Sequence, residues 1–226
     1  MKTTLAKIRK ESPCPDGWQK LRRHLGKTKA DDEPLSLEVV LDSNGVRDTI
    51  WCLRAVDGYD REKRLFAVWS IRQVQHLMPD QRCIEALDVA ERFANGEATI
   101  DELDAARDAA YAAAADAAAD AAYAASHVAY CVAHETAVAA AHAAAANAAA
   151  HAANAAAYVA DHDTANVANV AYDTANASAY VAAQTADAQT AYEVAWDAAR
   201  AAQTAELRRV VVCIEAGQDP YPKGTK

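Results

Sequence analysis

Between residues 101 and 206 the chain repeats one simple pattern: alanine at most positions, interrupted at steps of three and four by a larger or polar side chain. The series Asp116, Asp120, Tyr123, His127, Tyr130, His134, Val138, His142 averages about 3.7 residues per step, close to one helical turn. After a slip of five it resumes as Asn147, His151, Asn154, Tyr158. Further on come eleven-residue echoes: Asn147, Tyr158, Asn169, Tyr180, and beside them His151, His162, Asp173, Gln184. Eleven residues span three turns, so such a stripe stays nearly straight along a helix. The spacing predicts long helices, each with one decorated stripe.

No glycine or proline occurs between Gly96 and Gly217, and alanine fills 51 of the 106 positions from 101 to 206. Alanine is the strongest helix former, and the two residues that break helices are missing. As one rod the run would extend about 180 Å at 1.5 Å per residue. Alanine buries little by itself, but small side chains let helix backbones approach closely. The long helices are therefore expected to fold back on themselves or to pack on another copy. The expected breaks are the slip at 142–147 and the string Asp161-His162-Asp163-Thr164, where Asp163 can N-cap a new helix.

The first hundred residues read as short helices separated by punctuation. Thr4–Lys10 ends before Pro13-Cys14-Pro15, and a second helix opening at Gly17-Trp18 stops at Gly26. Ser36 caps a helix through Leu41, closed by Ser43-Asn44-Gly45, and Arg47–Val56 ends at Asp57-Gly58. Asp60–Met78 is the longest; Leu65, Val68, Trp69, Ile71, Val74, Leu77 and Met78 nearly encircle it, so it is expected at the centre. Gln81–Ala94 follows and stops at Asn95-Gly96. Thr99 and Glu102 form a capping box just before the alanine run. No strand pattern is read anywhere. The expected fold is all-α: a compact multi-helix N-terminal domain (1–98), a long-helix region (99–216) and a C-terminal tail (217–226).

Charge is unevenly spread over the net −9. Residues 1–100 hold 17 Lys and Arg against 16 acids, whereas 101–206 hold Arg107 and Arg200 against 14 acids. A region of charge −12 repels phosphate backbones and anionic lipid, so neither nucleic acid nor a membrane is the expected partner. A basic protein surface matches it better. The five cysteines (14, 52, 83, 131, 213) are odd in number and lack a CxxC spacing. They fit a reducing compartment, and with no signal-peptide core at the start a cytoplasmic location is expected.

Chemical motifs are sparse. His127, Cys131 and His134 share one helical face, but the first and last lie about 10.5 Å apart along the axis, so a metal would need ligands from a neighbouring helix. No Gly-x-Ser-x-Gly elbow, P-loop or dinucleotide fingerprint occurs. No catalytic residue, metal or cofactor is assigned, and the chain is read as a non-enzyme. A tyrosine row (Tyr111, Tyr123, Tyr130, Tyr158, Tyr172, Tyr180, Tyr192, with Trp196) either packs into the groove of a facing helix or contacts a partner.

The strings Ser12-Pro-Cys-Pro-Asp-Gly-Trp18-Gln-Lys-Leu, Leu25-Gly-Lys-Thr-Lys-Ala-Asp-Asp-Glu-Pro-Leu35, Leu41-Asp-Ser-Asn-Gly45, Trp51-Cys-Leu-Arg-Ala-Val56 and Ala94-Asn-Gly-Glu-Ala98 resemble a bacterial family labelled immunity proteins. Members of that family also end in Ala-rich repeats, typically with Trp and Arg at the stripe positions where this chain has Tyr, Asn, His and Asp. The resemblance implies an all-α protein that neutralises a bacterial toxin. The expected contact surface is Tyr123, Tyr130, Tyr158, Asp161, Asp163, Tyr172, Asp173, Tyr180 and Asp187. The alternative partner is the chain itself, as a self-assembling Ala-rich helical protein forming oligomers or filaments. A third reading, ice binding, is suggested by Asp163-Thr-Ala-Asn and Asp173-Thr-Ala-Asn, which look like the helical fish antifreeze proteins. The threonines 174 and 185 are eleven apart, but 164 and 174 point about 80° apart on a helix.

Overall fold

The computed structural model describes residues 1–130, 136–159, 167–182 and 188–223; for 121, 123–130, 136–144, 157–159, 168, 182 and 188–189 it describes the backbone alone. The fold is all-α. Helices α1 (Leu5–Lys10), α2 (Pro15–His24), α3 (Leu37–Asn44), α4 (Val46–Cys52), α5 (Asp60–Arg72) and α6 (Gln81–Ala94) build the first part. The Ala-rich part follows as α7 (Ile100–Tyr130), α8 (Thr136–Val159), α9 (Val167–Ala182) and α10 (Ala188–Glu215). A two-residue antiparallel pair, β1 (Lys2–Thr3) with β2 (Leu35–Ser36), ties the start of the chain to the entry of α3. Two residues per strand are too few for an alternating pattern to show in sequence.

Local chemistry sets most boundaries as expected. Thr4 caps α1 by accepting from the Lys7 amide, and Ser36 caps α3 by accepting from the Glu38 amide. The capping box is reciprocal: the Thr99 amide donates to Glu102 Oε2 (2.7 Å) and the Glu102 amide to Thr99 Oγ1 (3.2 Å). Gly17 is needed where α2 meets α4, since a Cβ there would lie 2.6 Å from Asp48 Oδ2. That carboxylate is held by Asn44 Nδ2 at 2.8 Å.

Some expectations change: the second helix opens at Pro15, and the helix expected over Arg47–Val56 is α-helical only to Cys52 before a 3₁₀ turn over Leu53–Ala55. The helix expected over Asp60–Met78 ends at Arg72, and the chain tightens into a 3₁₀ turn over Gln75–Leu77. Apolar residues that encircle a helix cannot all face one core, and this turn brings both Val74 and Met78 to burial (1% and 6% exposed). The slip at 142–147 does not break the chain, because α8 runs straight through it. Alanine on both sides keeps the helix favourable whatever the stripe does. The other expected break, Asp161–Thr164, lies outside the described residues.

The long run folds back. α7 packs along α8, α8 along α9 and α9 along α10. Ala152, Ala155 and Ala156 of α8 and Ala175, Ala177 and Ala179 of α9 are wholly buried, so the alanine faces cover one another within one chain. α5 is central as expected: it packs on α6, α8, α9 and α10, and Phe66 is its largest buried side chain. One apolar cluster runs from Leu5, Phe66 and Leu87 through Leu103 to Ala155, Val170 and Leu207. Residue 98 thus marks a change of composition, while the core continues across it.

Salt bridges tie the ends together. Arg208 reaches back to Glu38 (3.1 Å) and Asp42 (2.6 Å) on α3. In the tail, Tyr221 donates to Glu206 Oε1 (2.9 Å) while Arg61 binds Asp219 (2.9 Å) and the Tyr221 carbonyl (2.6 Å). Burial pushes the Tyr221 phenol upward, and the Glu206 carboxylate adds to it. Cys52 and Cys83 lie in the core, where burial pushes their thiols up to about 12 and about 11.

Candidate binding surface on helices α8 to α10

The Ala-rich helices enclose a ladder of rings and polar side chains. His151 on α8 stacks on Tyr180 of α9 (5.4 Å between centroids, 11° between planes). Tyr180 meets Tyr192 of α10 edge-on (5.5 Å), Tyr192 stacks over Trp196 (6.5 Å), and Trp196 meets Tyr172 of α9 edge-on (5.5 Å). The partners descend along α9 as they ascend along α10, so these two helices are antiparallel. Each such ring pair contributes about 0.5–1.5 kcal/mol beyond its buried area. Alanine makes the arrangement possible: with methyl groups on either side, the helices sit close enough for rings one turn apart to interleave.

Polar atoms inside the ladder are satisfied. His151 Nδ1 lies 2.9 Å from Asp173 Oδ1; a carboxylate oxygen accepts, so the ring carries its proton on that nitrogen. Tyr192 donates to Asn176 Oδ1 at 2.8 Å, and burial, then Tyr180 and Tyr172, raise its phenol. Gln203 Nε2 donates to the Ala171 carbonyl at 2.8 Å and Thr174 Oγ1 to the Val170 carbonyl at 2.7 Å.

The expected contact residues separate accordingly. Tyr172 stands at the surface, 55% exposed. Tyr180 is half-buried between two rings. Asp173, expected on the contact surface, is instead turned inward at 9% exposure and used by His151; it lies 100° around the helix from Tyr172, on the face toward α8. Tyr123, Tyr130 and Tyr158 lie on described helices, but their side chains fall outside the described residues, as do Asp161, Asp163 and Asp187 altogether. Cys131, His134 and the His127 side chain also lie outside them. Among the described residues no group of three His, Cys, Asp or Glu side chains is placed to hold a metal, and no helix is long and apolar enough to cross a membrane. Thr174 is buried (2% exposed), so it cannot belong to an exposed threonine row.

Asn176, Arg200 and Gln203 take part in or beside the ladder without having stood out in the sequence. The one signal was periodic: His151 and Asp173 belong to the same eleven-residue echo. Family models, curated proteins and solved structures were compared with the chain, and none matches.

The His151–Asp173 pair makes a stability prediction. His151→Leu leaves a buried carboxylate without its donor and is expected to lower stability by about 1–3 kcal/mol. The double variant His151→Leu with Asp173→Leu should recover much of that loss, because both polar partners are then gone. Chemical denaturation of the wild type, His151→Leu and the double variant checks it; equal losses in the single and double variants would show that the hydrogen bond contributes nothing.

Proposed function

We propose that this protein acts by binding another protein, as an immunity protein that occludes a bacterial toxin, and that the face around Tyr172 and Trp196 makes the contact. The supporting observation is Tyr172: a large aromatic ring, 55% exposed, held edge-on by Trp196 at 5.5 Å. A ring presented in a fixed orientation contributes contact area with little left to lose in side-chain entropy, which is how interface anchors work. The −12 balance of residues 101–206 makes a basic partner the electrostatic match. Burial of the alanine faces within one chain leaves less of them for building a filament, so self-assembly is the second reading.

The test places a photo-crosslinking phenylalanine analogue at position 172 of the full chain in its native cells. The expected product is a cross-link to one basic protein, which inhibits growth when expressed alone and not when co-expressed with this chain. Tyr172→Ala should weaken that complex by about 2 kcal/mol while costing the fold about 1 kcal/mol or less. Cross-links to a second copy alone would favour the self-assembly reading, and a harmless captured protein would end the immunity reading.

A further inference from the structure

Residues 219–223 lie across the fold as a strap. α10 is closed before them: the Gln218 amide donates to the Cys213 carbonyl (2.8 Å) and the Gly217 amide to the Ile214 carbonyl (3.0 Å), with Gly217 at φ +70°. These bonds complete the helix end by themselves, so the backbone of α10 does not need the strap. Within the strap Pro220 is buried and Tyr221 half-buried, while Asp219, Pro222 and Lys223 are exposed. It is held as a docked peptide is held, by two anchors between exposed neighbours. Segments with few buried contacts are the ones that open locally while the rest of a fold stays intact.

The seat beneath the strap is assembled by residues outside it. Arg209 is fixed on α10 by two bonds to Glu206, Nε to Oε2 (2.8 Å) and Nη2 to Oε1 (2.7 Å). Arg61, at the start of α5, is steered by a bond from Nε to Asn95 Oδ1 at 3.1 Å. Each guanidinium keeps further donors, and the strap uses them. Arg61 Nη1 donates to Asp219 Oδ1 (2.9 Å) and Nη2 to the Tyr221 carbonyl (2.6 Å), while Arg209 Nη1 donates to the Pro220 carbonyl (2.9 Å). The Arg209 guanidinium also lies 5.2 Å from the centre of the Tyr221 ring, whose hydroxyl donates to Glu206 Oε1 at 2.9 Å. Carboxylate, ring, hydroxyl and two backbone carbonyls each meet a fixed group of the seat. The strap is shaped in advance as well: the Tyr221 amide donates to Asp219 Oδ1 (2.8 Å), and prolines on both sides of Tyr221 restrict its backbone.

We propose that this seat is a recognition site for a polypeptide segment of the Asp-x-Tyr type, and that residues 219–223 are its built-in ligand, a strap that must release before a segment of another chain can enter. Arg61 reads the carboxylate, Arg209 the ring and the carbonyl before it, and Glu206 the hydroxyl. Charge-assisted bonds to a carboxylate and a cation over a ring are the contacts that give a short segment specificity without a deep pocket. Tethering supplies the strap at an effective concentration on the order of millimolar, which keeps the seat closed against a free segment of similar strength. None of these residues belongs to the face around Tyr172 and Trp196, so the two sites can be tested apart.

The probe is the blocked peptide Gln-Asp-Pro-Tyr-Pro-Lys, the sequence of residues 218–223, titrated into the full-length protein while the NMR signals of the arginine side chains are followed. The proteins are the wild type, Tyr221→Ala, whose strap is loosened, and Tyr221→Ala with Arg61→Gln, whose seat is damaged too. Tyr221→Ala should keep its helical circular dichroism and bind the peptide with saturable shifts at Arg61 and Arg209, at least about tenfold more tightly than the wild type, because its own strap no longer competes. Adding Arg61→Gln, or replacing Asp by Asn in the peptide, should weaken binding at least about tenfold. Asp219→Asn, a milder way to loosen the strap, should give an affinity between wild type and Tyr221→Ala. Equal binding by the wild type and Tyr221→Ala, no shift in Tyr221→Ala with the peptide in excess, or equal binding with and without Arg61→Gln would overturn the proposal. A collapse of helical circular dichroism in Tyr221→Ala would overturn it as well, since the strap would then be part of the core.

Discussion

Leucine at Ala152 and Ala156 together is expected to destabilise the protein by more than about 3 kcal/mol, enough to melt a large share of the Ala-rich helices at working temperature. Both methyl groups are fully buried (0% exposed) and lie one turn apart on α8, in a helix that packs against α7 on one side and α9 on another. Leucine and alanine differ little in helix propensity, so the loss reports packing alone: each added isobutyl group must push a neighbouring backbone away. Separating α8 from α9 would also pull His151 off Asp173 and Tyr180. Ala145→Leu is the control, since that alanine on the same helix is exposed and should change stability by less than about 0.5 kcal/mol. Thermal melts by circular dichroism decide the matter. Equal melting of the buried and exposed variants would mean that α8 is not held in the close packing described.

Phe66→Ala should cost about 3–5 kcal/mol, the usual loss for a buried phenylalanine, and lower the melting point by about 2–4 °C per kcal/mol for a chain this size. Its wider value concerns the shared core. Phe66 belongs to α5 in the first part of the chain, yet α5 packs on α8, α9 and α10, and one apolar cluster spans both parts. The cavity should therefore loosen the Ala-rich helices as much as the first six. Tryptophan fluorescence weighted to Trp18, Trp51 and Trp69 and helical circular dichroism weighted to the alanine run should move to the same lower midpoint. Two separate midpoints would show that the parts melt independently despite their common core.

The polar chemistry shows how far a sequence of this kind can be read. Tyr172 and Asp173 are neighbours, and both looked like surface contacts in a row of tyrosines and acids. The structure sends one outward and the other into a hydrogen bond with His151. An alanine background removes the usual cue, because apolar and polar faces of a helix differ by only a methyl group and the stripe has no obvious inside. Arg200 was equally opaque: nothing beside it in sequence says that its guanidinium bonds the amide oxygen of the buried Gln203.

Secondary structure, by contrast, is a property of neighbours in sequence, and there the chain is explicit. Thr4, Ser36, Asp80 and the Thr99–Glu102 box cap the helices they precede, since a cap needs only a side chain within reach of its own first turn. Alanine content with no glycine or proline makes α7, α8, α9 and α10 helical. What the sequence leaves open is which alanine faces meet. That is decided by tertiary packing: nearly identical methyl surfaces can pair in many registers with similar energy. The choice among them falls to the few large residues, Phe66, Leu103, Leu207 and the ring ladder, once the chain has folded back far enough for them to touch.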